Sequence, residues 1–210
     1  MDLSYQLLYY PCAGKGEVIR QLLAYLNYHW NDTLIEPGQM PEEYSDDSLP
    51  ILRVMKDGKS KPLVELTEAD AICSLLAEKA GLINFEPDQY YKMSLVIRQC
   101  QEFDFYFKKL HKNSQNDKNA KKKFKNGMAE SILNSLSISL EETEVYICDT
   151  DPCLADIYAI VTIEKLIEFD GDLFKKKEFK RLKDYRDSFI KKNKSLFNYH
   201  LNRKKYSINI

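Results

Sequence analysis

Tyr9, Lys15 and Cys12 lie within seven residues of one another near the start of the chain, and between them they could hold and polarise an anion. Tyr9 belongs to an apolar and aromatic run, Tyr5 to Tyr10, interrupted only by Gln6. Such a run suits a buried strand. Pro11, Gly14 and Gly16 then mark a turn. Val18, Ile19, Leu22, Leu23 and Leu26 follow at helical spacing as one apolar stripe. The reading is strand, turn, helix. The N-terminus of a helix aimed at a cleft favours anions, because its backbone N–H groups and dipole point there. Tyr9 would add a phenolic donor and Lys15 a positive charge. The same dipole could lower the pKa of Cys12. Pattern alone leaves each residue a second reading. Tyr9 is one of 14 tyrosines and sits on a core strand, Lys15 fits a solvated surface, and Cys12 fits a quiet turn.

The elements that must position these residues can be read along 210 residues, enough for one large domain or two small ones. Residues 1–80 hold 13 acidic and 7 basic residues, a net charge of −6, and the remainder holds 19 and 24, a net charge of +5. This asymmetry fits two domains and raises the question of a polyanion partner. The lysine runs 108–125 and 175–205 could bind nucleic acid, or they could be solvated helix faces. Five cysteines, at 12, 73, 100, 148 and 153, form no C-x-x-C pair, and there are three histidines. Neither a zinc site nor a disulfide framework is expected. No run approaches the ~20 apolar residues that span a bilayer. The start M-D-L-S-Y-Q does not read as a signal peptide, so a cytoplasmic location is expected.

Trp30 to Ile35 reads as a second strand, Leu49 to Val54 as a third and Pro62 to Leu66 as a fourth, with Asp57-Gly58 as a hairpin turn between the last two. Thr67-x-x-Asp70 resembles a capping pattern, Ala71 to Ala80 a helix, and Gly81 its C-terminal glycine. Residues 82–89 read as a linker. Helices are expected at 90–110, 124–140, 154–169, 179–189 and 195–202, with a polar break at 112–123. The expected fold is an α/β thioredoxin-like domain over 1–81, then an all-α domain over 90–210.

Three segments carry a resemblance to a known family. Y-Q-L-L-Y-Y-P-C-A-G-K-G-E-V-I-R-Q-L-L-A-Y, E-A-D-A-I and Y-I-C-D-T-D-P-C-L-A-D occur in the order found in cytosolic glutathione transferases. The first is most similar to the sigma-like, tyrosine-using kind. The resemblance implies glutathione as co-substrate, no other cofactor, no metal, a homodimer, and conjugation of electrophiles for detoxification or reduction of peroxides. It assigns Tyr9 to the thiol of glutathione. That thiol has a pKa of about 8.5–9 and is mostly protonated at neutral pH, so a donor that stabilises the thiolate raises the reactive fraction.

The resemblance also assigns a peptide-holding set. Lys15 stands for an arginine near the glycyl carboxylate, keeping the charge without the bidentate fork. Leu49 and Pro50, where the fold carries a cis-proline, would pair main chain to main chain with the cysteinyl part. Glu68 would receive the γ-glutamyl ammonium. Ala69 departs from the family's serine, which loses a hydroxyl to the γ-glutamyl carboxylate. Met40 replaces a tryptophan donor and supplies none. Cys153 and Cys148 replace a Ser/Thr cap and a glycine, so Thr150 or Asp151 is expected to cap that helix, and Asp156 is expected to be structural. Met93, Arg98 or Tyr106 are candidates to line a second-substrate pocket. Two other readings stand beside the enzyme. One is a non-catalytic scaffold or docking protein of this fold, for instance in a translation-related complex, which Ala69 and Met40 favour. The other is thiol–disulfide exchange through Cys12.

Overall fold

Among the described residues, four strands and eight α-helices follow one another in two units. The computed structural model describes residues 3–36, 38–39, 41–45, 48–56, 59–114 and 116–203. The first unit runs through Ala80 and takes in the chain again from Asn193 on, and the second is Gly81–Lys192. Met40 and the Asp57-Gly58 turn lie outside the described residues.

In the first unit, β1 (Leu3–Tyr9), α1 (Gly16–Tyr25), β2 (Trp30–Leu34), β3 (Ile51–Lys56), β4 (Val64–Leu66) and α2 (Ala69–Lys79) follow in order. The sheet order is β2-β1-β3-β4. β1 runs parallel to β2 and antiparallel to β3, and β4 is antiparallel to β3. Leu7, Leu8, Ile51 and Leu52 of the two central strands are buried together with Ile19, Leu22 and Leu23 of α1 and Ile72 and Leu76 of α2. The apolar run of β1 is therefore the middle of the core, as its continuous rather than alternating character requires. The peptide bond Leu49–Pro50 is cis. Gly81 has φ +72°, the left-handed conformation expected of a glycine after a helix C-terminus.

The N-terminus of α2 differs from the capping pattern expected at Thr67. The residue flanking the helix is Glu68, with φ 64° and ψ 109° and no side-chain cap. Only glycine adopts this backbone at low cost.

The second unit holds α3 (Pro87–Ser114), α4 (Lys118–Phe124), α5 (Glu130–Thr143), α6 (Leu154–Asp170) and α7 (Lys177–Lys192). The lysine-rich stretch read as a break is mostly helical. α3 runs to residue 114, α4 starts at 118, and a π-helical segment, Lys125–Ala129, joins α4 to α5. Residues 145–147 form bends. α6 is buried from Leu154 through Leu166, the pattern of a helix enclosed on all sides. Cys153, not Thr150 or Asp151, occupies its N-cap. The anchoring group there is Asp156. Its carboxylate accepts from Cys153 N–H at 2.7 Å, from Ile147 N–H at 2.8 Å and from the Tyr185 hydroxyl.

The last helix, α8 (Lys194–Asn202), packs with the first unit. Asn193 donates to the Tyr25 carbonyl at 2.9 Å, Ser195 bonds Asn27, and Tyr199 tilts against Trp30. The domain reading of the sequence had placed these residues with the helical half.

Asp156→Ala is expected to strand three buried donors. At about 1–3 kcal/mol each, the loss should exceed about 3 kcal/mol. At about 2–4 °C per kcal/mol for a chain of this size, thermal unfolding should shift down by about 6–12 °C or more.

Candidate active site

Tyr9 ends β1, and its ring lies against the turn that opens α1. The N–H of Lys15 donates to the Tyr9 oxygen at 2.9 Å. The ring is buried, at 4% exposure. Two glycines make this approach feasible. A Cβ at Gly14 would lie 2.4 Å from the Tyr9 oxygen, and Gly14 also has φ +36°. A Cβ at Gly16 would lie 2.4 Å from the ring edge. Any larger residue must push the phenol away or distort the turn. Lys15 itself is exposed at the head of α1. The phenol oxygen thus sits among the first N–H groups of a helix, where negative charge is favoured.

Arg20 underlies this arrangement. It is fully buried, at 0% exposure. Its guanidinium lies 5.6 Å from the Tyr9 ring centre and donates to the carbonyls of Cys12 at 2.9 Å and Tyr10 at 3.3 Å. It pairs with Asp32 of β2 at 2.7 Å and faces Glu17 at 3.7 Å. Burial works against its charge, but Asp32 and Glu17 outweigh burial and hold its pKa above the ordinary arginine value. Glu17 in turn accepts from the Tyr199 hydroxyl at 3.1 and 3.2 Å and meets Arg203 at 2.5 Å. This network was not read from the sequence. The motif I-R-Q-L-L-A-Y contains the arginine, but a charged residue inside an apolar stripe gives no sign of its partners 12 and 3 residues away along the chain.

Leu8 pairs with Ile51 in the β1–β3 ladder, so Tyr9 and Pro50 come one step further along at the same end of the sheet. Leu49 and Pro50 are both buried. Glu68 is exposed and Ala69 buried at the start of α2. The Glu68 carboxylate has no hydrogen-bond partner among the described residues. Tyr9, Lys15, Leu49, Pro50, Glu68 and Ala69 all belong to the first unit. Cys12 is 2% exposed, and its carbonyl is held by Arg20. Of the second-substrate candidates in the other unit, Met93 is core at 4% exposure, while Arg98 and Tyr106 are exposed.

A mixed four-stranded sheet with helices, accompanied by an all-helical unit, is the fold of the glutathione transferases. The chain is similar to solved structures of that fold. A Fasciola hepatica sigma class GST matches with a TM-score of 0.83 at 22% identity, over 98% of this chain and 99% of that one. A prostaglandin synthase D of Nilaparvata lugens matches at 0.80 and 22%, over 96% and 99%. Among curated proteins, the glutathione S-transferase class-mu 28 kDa isozyme of Schistosoma japonicum is 24% identical over 172 residues, 80% of this chain and 82% of that protein. The hematopoietic prostaglandin D synthase of Gallus gallus is 25% identical over 187 residues, 88% and 89%. No family model matches the chain. The architecture is thus that of glutathione transferases, and both sequence and backbone resemble the sigma-like members.

Gly14→Ala is expected to cost about 1–3 kcal/mol, because the added methyl meets the phenol and the backbone favours glycine. Denaturant unfolding followed through the single Trp30 measures it.

Proposed function

We propose that the chain is a glutathione transferase in which the Tyr9 hydroxyl stabilises the thiolate of bound glutathione. The carrying observation is the seat of the Tyr9 oxygen at the start of α1, 2.9 Å from the Lys15 N–H. A phenol both donates and accepts. Its oxygen can take the backbone N–H while its proton is offered to a sulfur. The α1 dipole favours negative charge nearby. The thiolate then attacks an electrophilic carbon, forming the C–S bond as the leaving group departs with its electron pair, or it attacks a peroxide oxygen, forming an S–O bond as the O–O bond breaks and the alcohol leaves, after which a second glutathione displaces water to give the disulfide. No metal or cofactor is needed, and glutathione is the co-substrate. The likeness to proteins named glutathione S-transferase supports this reading.

In this proposal Leu49 and Pro50 present main chain to the cysteinyl part, Glu68 faces the γ-glutamyl ammonium, and Lys15 lies toward the glycyl carboxylate. The positive φ of Glu68 suits such a role, since strained backbone is retained where it aims a group. The chain would work as a homodimer in the cytoplasm. Among the described residues, no helix is long and apolar enough to cross a membrane. Ala69 favours the second reading, a non-catalytic scaffold of the same fold, because it leaves only backbone N–H and the α2 dipole for the γ-glutamyl carboxylate.

Two measurements separate these readings. Tyr9→Phe should lower kcat/KM for conjugation of an aryl halide about a hundredfold, the usual cost of one oxyanion donor, while Cys12→Ser stays near wild type. The acid limb of the wild-type pH profile should lie below the free thiol pKa and move up to about 8.5–9 in Tyr9→Phe. A wild-type chain that neither binds immobilised glutathione nor turns over would establish the scaffold. Ala69→Ser should restore one hydrogen bond to a charged group, worth about 1.5–3 kcal/mol, and tighten glutathione binding about 10- to 150-fold. Calorimetric titration with glutathione reads this directly.

A further inference from the structure

Two thiols meet at the N-terminus of α6. Cys148 lies in the bends at 144–151, and Cys153 is the N-cap of the helix. In the sequence both stand where the family resemblance has other residues, a glycine and a Ser/Thr cap. Both side chains are buried, at 3% and 6% exposure. The Asp156 carboxylate sets their spacing. One of its oxygens accepts the N–H of Ile147, the residue before Cys148, at 2.8 Å, and the other accepts the N–H of Cys153 at 2.7 Å. A single carboxylate spans both, so the two stretches of backbone lie side by side. The two thiols are in hydrogen-bond contact.

Further bonds hold this geometry. Asn84 donates to the Asp149 carboxylate at 2.9 Å, and the Leu154 N–H to the Leu82 carbonyl at 2.9 Å. A buried cysteine serves as a small hydrophobe without any sulfur partner. Here each sulfur instead faces a second one across a turn of six residues. The other thiols are placed differently. Cys100 hydrogen-bonds Thr162, and its thiol is pushed up to about 12, chiefly by burial. Cys12 and Cys73 belong to the first unit. Within the bends, Glu144, Val145, Thr150 and Asp151 are exposed, so opening of this short segment brings Cys148 to solvent without unfolding α6.

We propose that Cys148 and Cys153 are a redox modification site, which closes to an internal disulfide and staples the bends to the first turn of α6. The sulfurs need only close from hydrogen-bond contact to about 2 Å. A small-molecule disulfide is the oxidant. The Cys148 thiolate attacks one of its sulfurs, an S–S bond forms, and a thiolate leaves. The Cys153 sulfur gives its proton to that thiolate and attacks the Cys148 sulfur of the mixed disulfide, and the second thiolate leaves. Two protein thiols are oxidised while one small disulfide is reduced to two thiols. The hydrogen bond to Cys148, burial and Asp156 push the Cys153 thiol up, so exchange is slow and runs through opening of the bends. The equilibrium is set by proximity, because the second step is intramolecular. This inference does not depend on the enzymatic reading.

Equilibration of the full chain with equal concentrations of glutathione and its disulfide, followed by acid quenching, alkylation and peptide mapping, tests it. Most chains should lose two of their five free thiols. Cleavage at Asp149 or Asp151 should then leave fragments joined between Cys148 and Cys153. Cys148→Ser and Cys153→Ser should each form no internal disulfide, whereas Cys100→Ser should form it as the wild type does. Hydrogen exchange at residues 147–152 should slow about tenfold or more on oxidation. The proposal is overturned by a wild-type chain that keeps all its thiols, that carries mixed disulfides with glutathione in place of the internal bond, or that joins Cys148 to Cys100. Unchanged exchange in the bends overturns the staple. Circular dichroism checks the fold of each variant. If a serine variant fails to fold, the wild-type peptide map decides.

Discussion

The first unit depends on a buried guanidinium. Arg20 is removed from water altogether, and a charge so placed is costly unless its hydrogen bonds and counter-charges are supplied in full. Here Asp32, Glu17 and the carbonyls of Tyr10 and Cys12 supply them. Those partners come from β2, from α1 itself and from the turn after β1. The requirement to satisfy one side chain therefore fixes three pieces of backbone relative to one another. The turn is held at two of its carbonyls, and Gly14 and Gly16 leave room where the Tyr9 ring approaches. Replacing a buried ion pair with apolar groups is often no loss in stability. Its use here is specification, because an apolar residue at position 20 could fill the space but could not hold two carbonyls and a carboxylate in register.

Glu17 extends the same logic to the end of the chain. Tyr199 and Arg203 bring a hydroxyl and a second guanidinium to its carboxylate. Around it, Asn193 and Ser195 bond the residues that end α1. A carboxylate between Arg20 and Arg203 is balanced on both sides, so neither arginine is left as an uncompensated charge. α8 thereby becomes part of the support of the turn that carries the phenol, although about 180 residues separate Glu17 from Tyr199 in sequence. A buried network of charge-assisted hydrogen bonds rigidifies what it encloses.

Sequence made the first unit legible where local pattern and burial agree. The apolar run of β1, the stripe of α1, the proline before β3 and the glycine after α2 each carry a local physical cause, and each stands where its cause puts it. Reading failed where the cause is not local. Thr67 looked like a cap, but the chain turns into α2 through Glu68 in a conformation that propensity disfavours. The stretch after Lys112 looked like a polar break because its residues are charged. Its helicity comes instead from Phe124, which docks among Phe103, Phe107 and Phe169, so one buried aromatic outweighs several solvated lysines. Cys153 looked too weak to begin α6, and the actual anchor is the Asp156 carboxylate three residues on. Tyr9 was legible as a residue, but its support by Arg20 was not, because a buried charge is defined by distant partners.

The proposed site is uneven in a way that bears on how the chain would use binding energy. In the proposed function, the groups around the thiol position are present and supported: a phenol and a helix N-terminus. Groups around the ends of the peptide are thinner, with Ala69 for a hydroxyl and Lys15 for a fork. These two sets act on different parts of the energy profile. Contacts to the γ-glutamyl and glycyl ends are alike before and during reaction, so thinning them weakens capture of glutathione without raising the chemical barrier. The phenol acts on charge at sulfur, which differs between thiol and thiolate, so it acts on the reactive fraction itself. A cell that keeps its thiol pool well above the dissociation constant loses little by the first change and much by the second. Under the proposed function, the phenol is the group whose loss concentration could not offset.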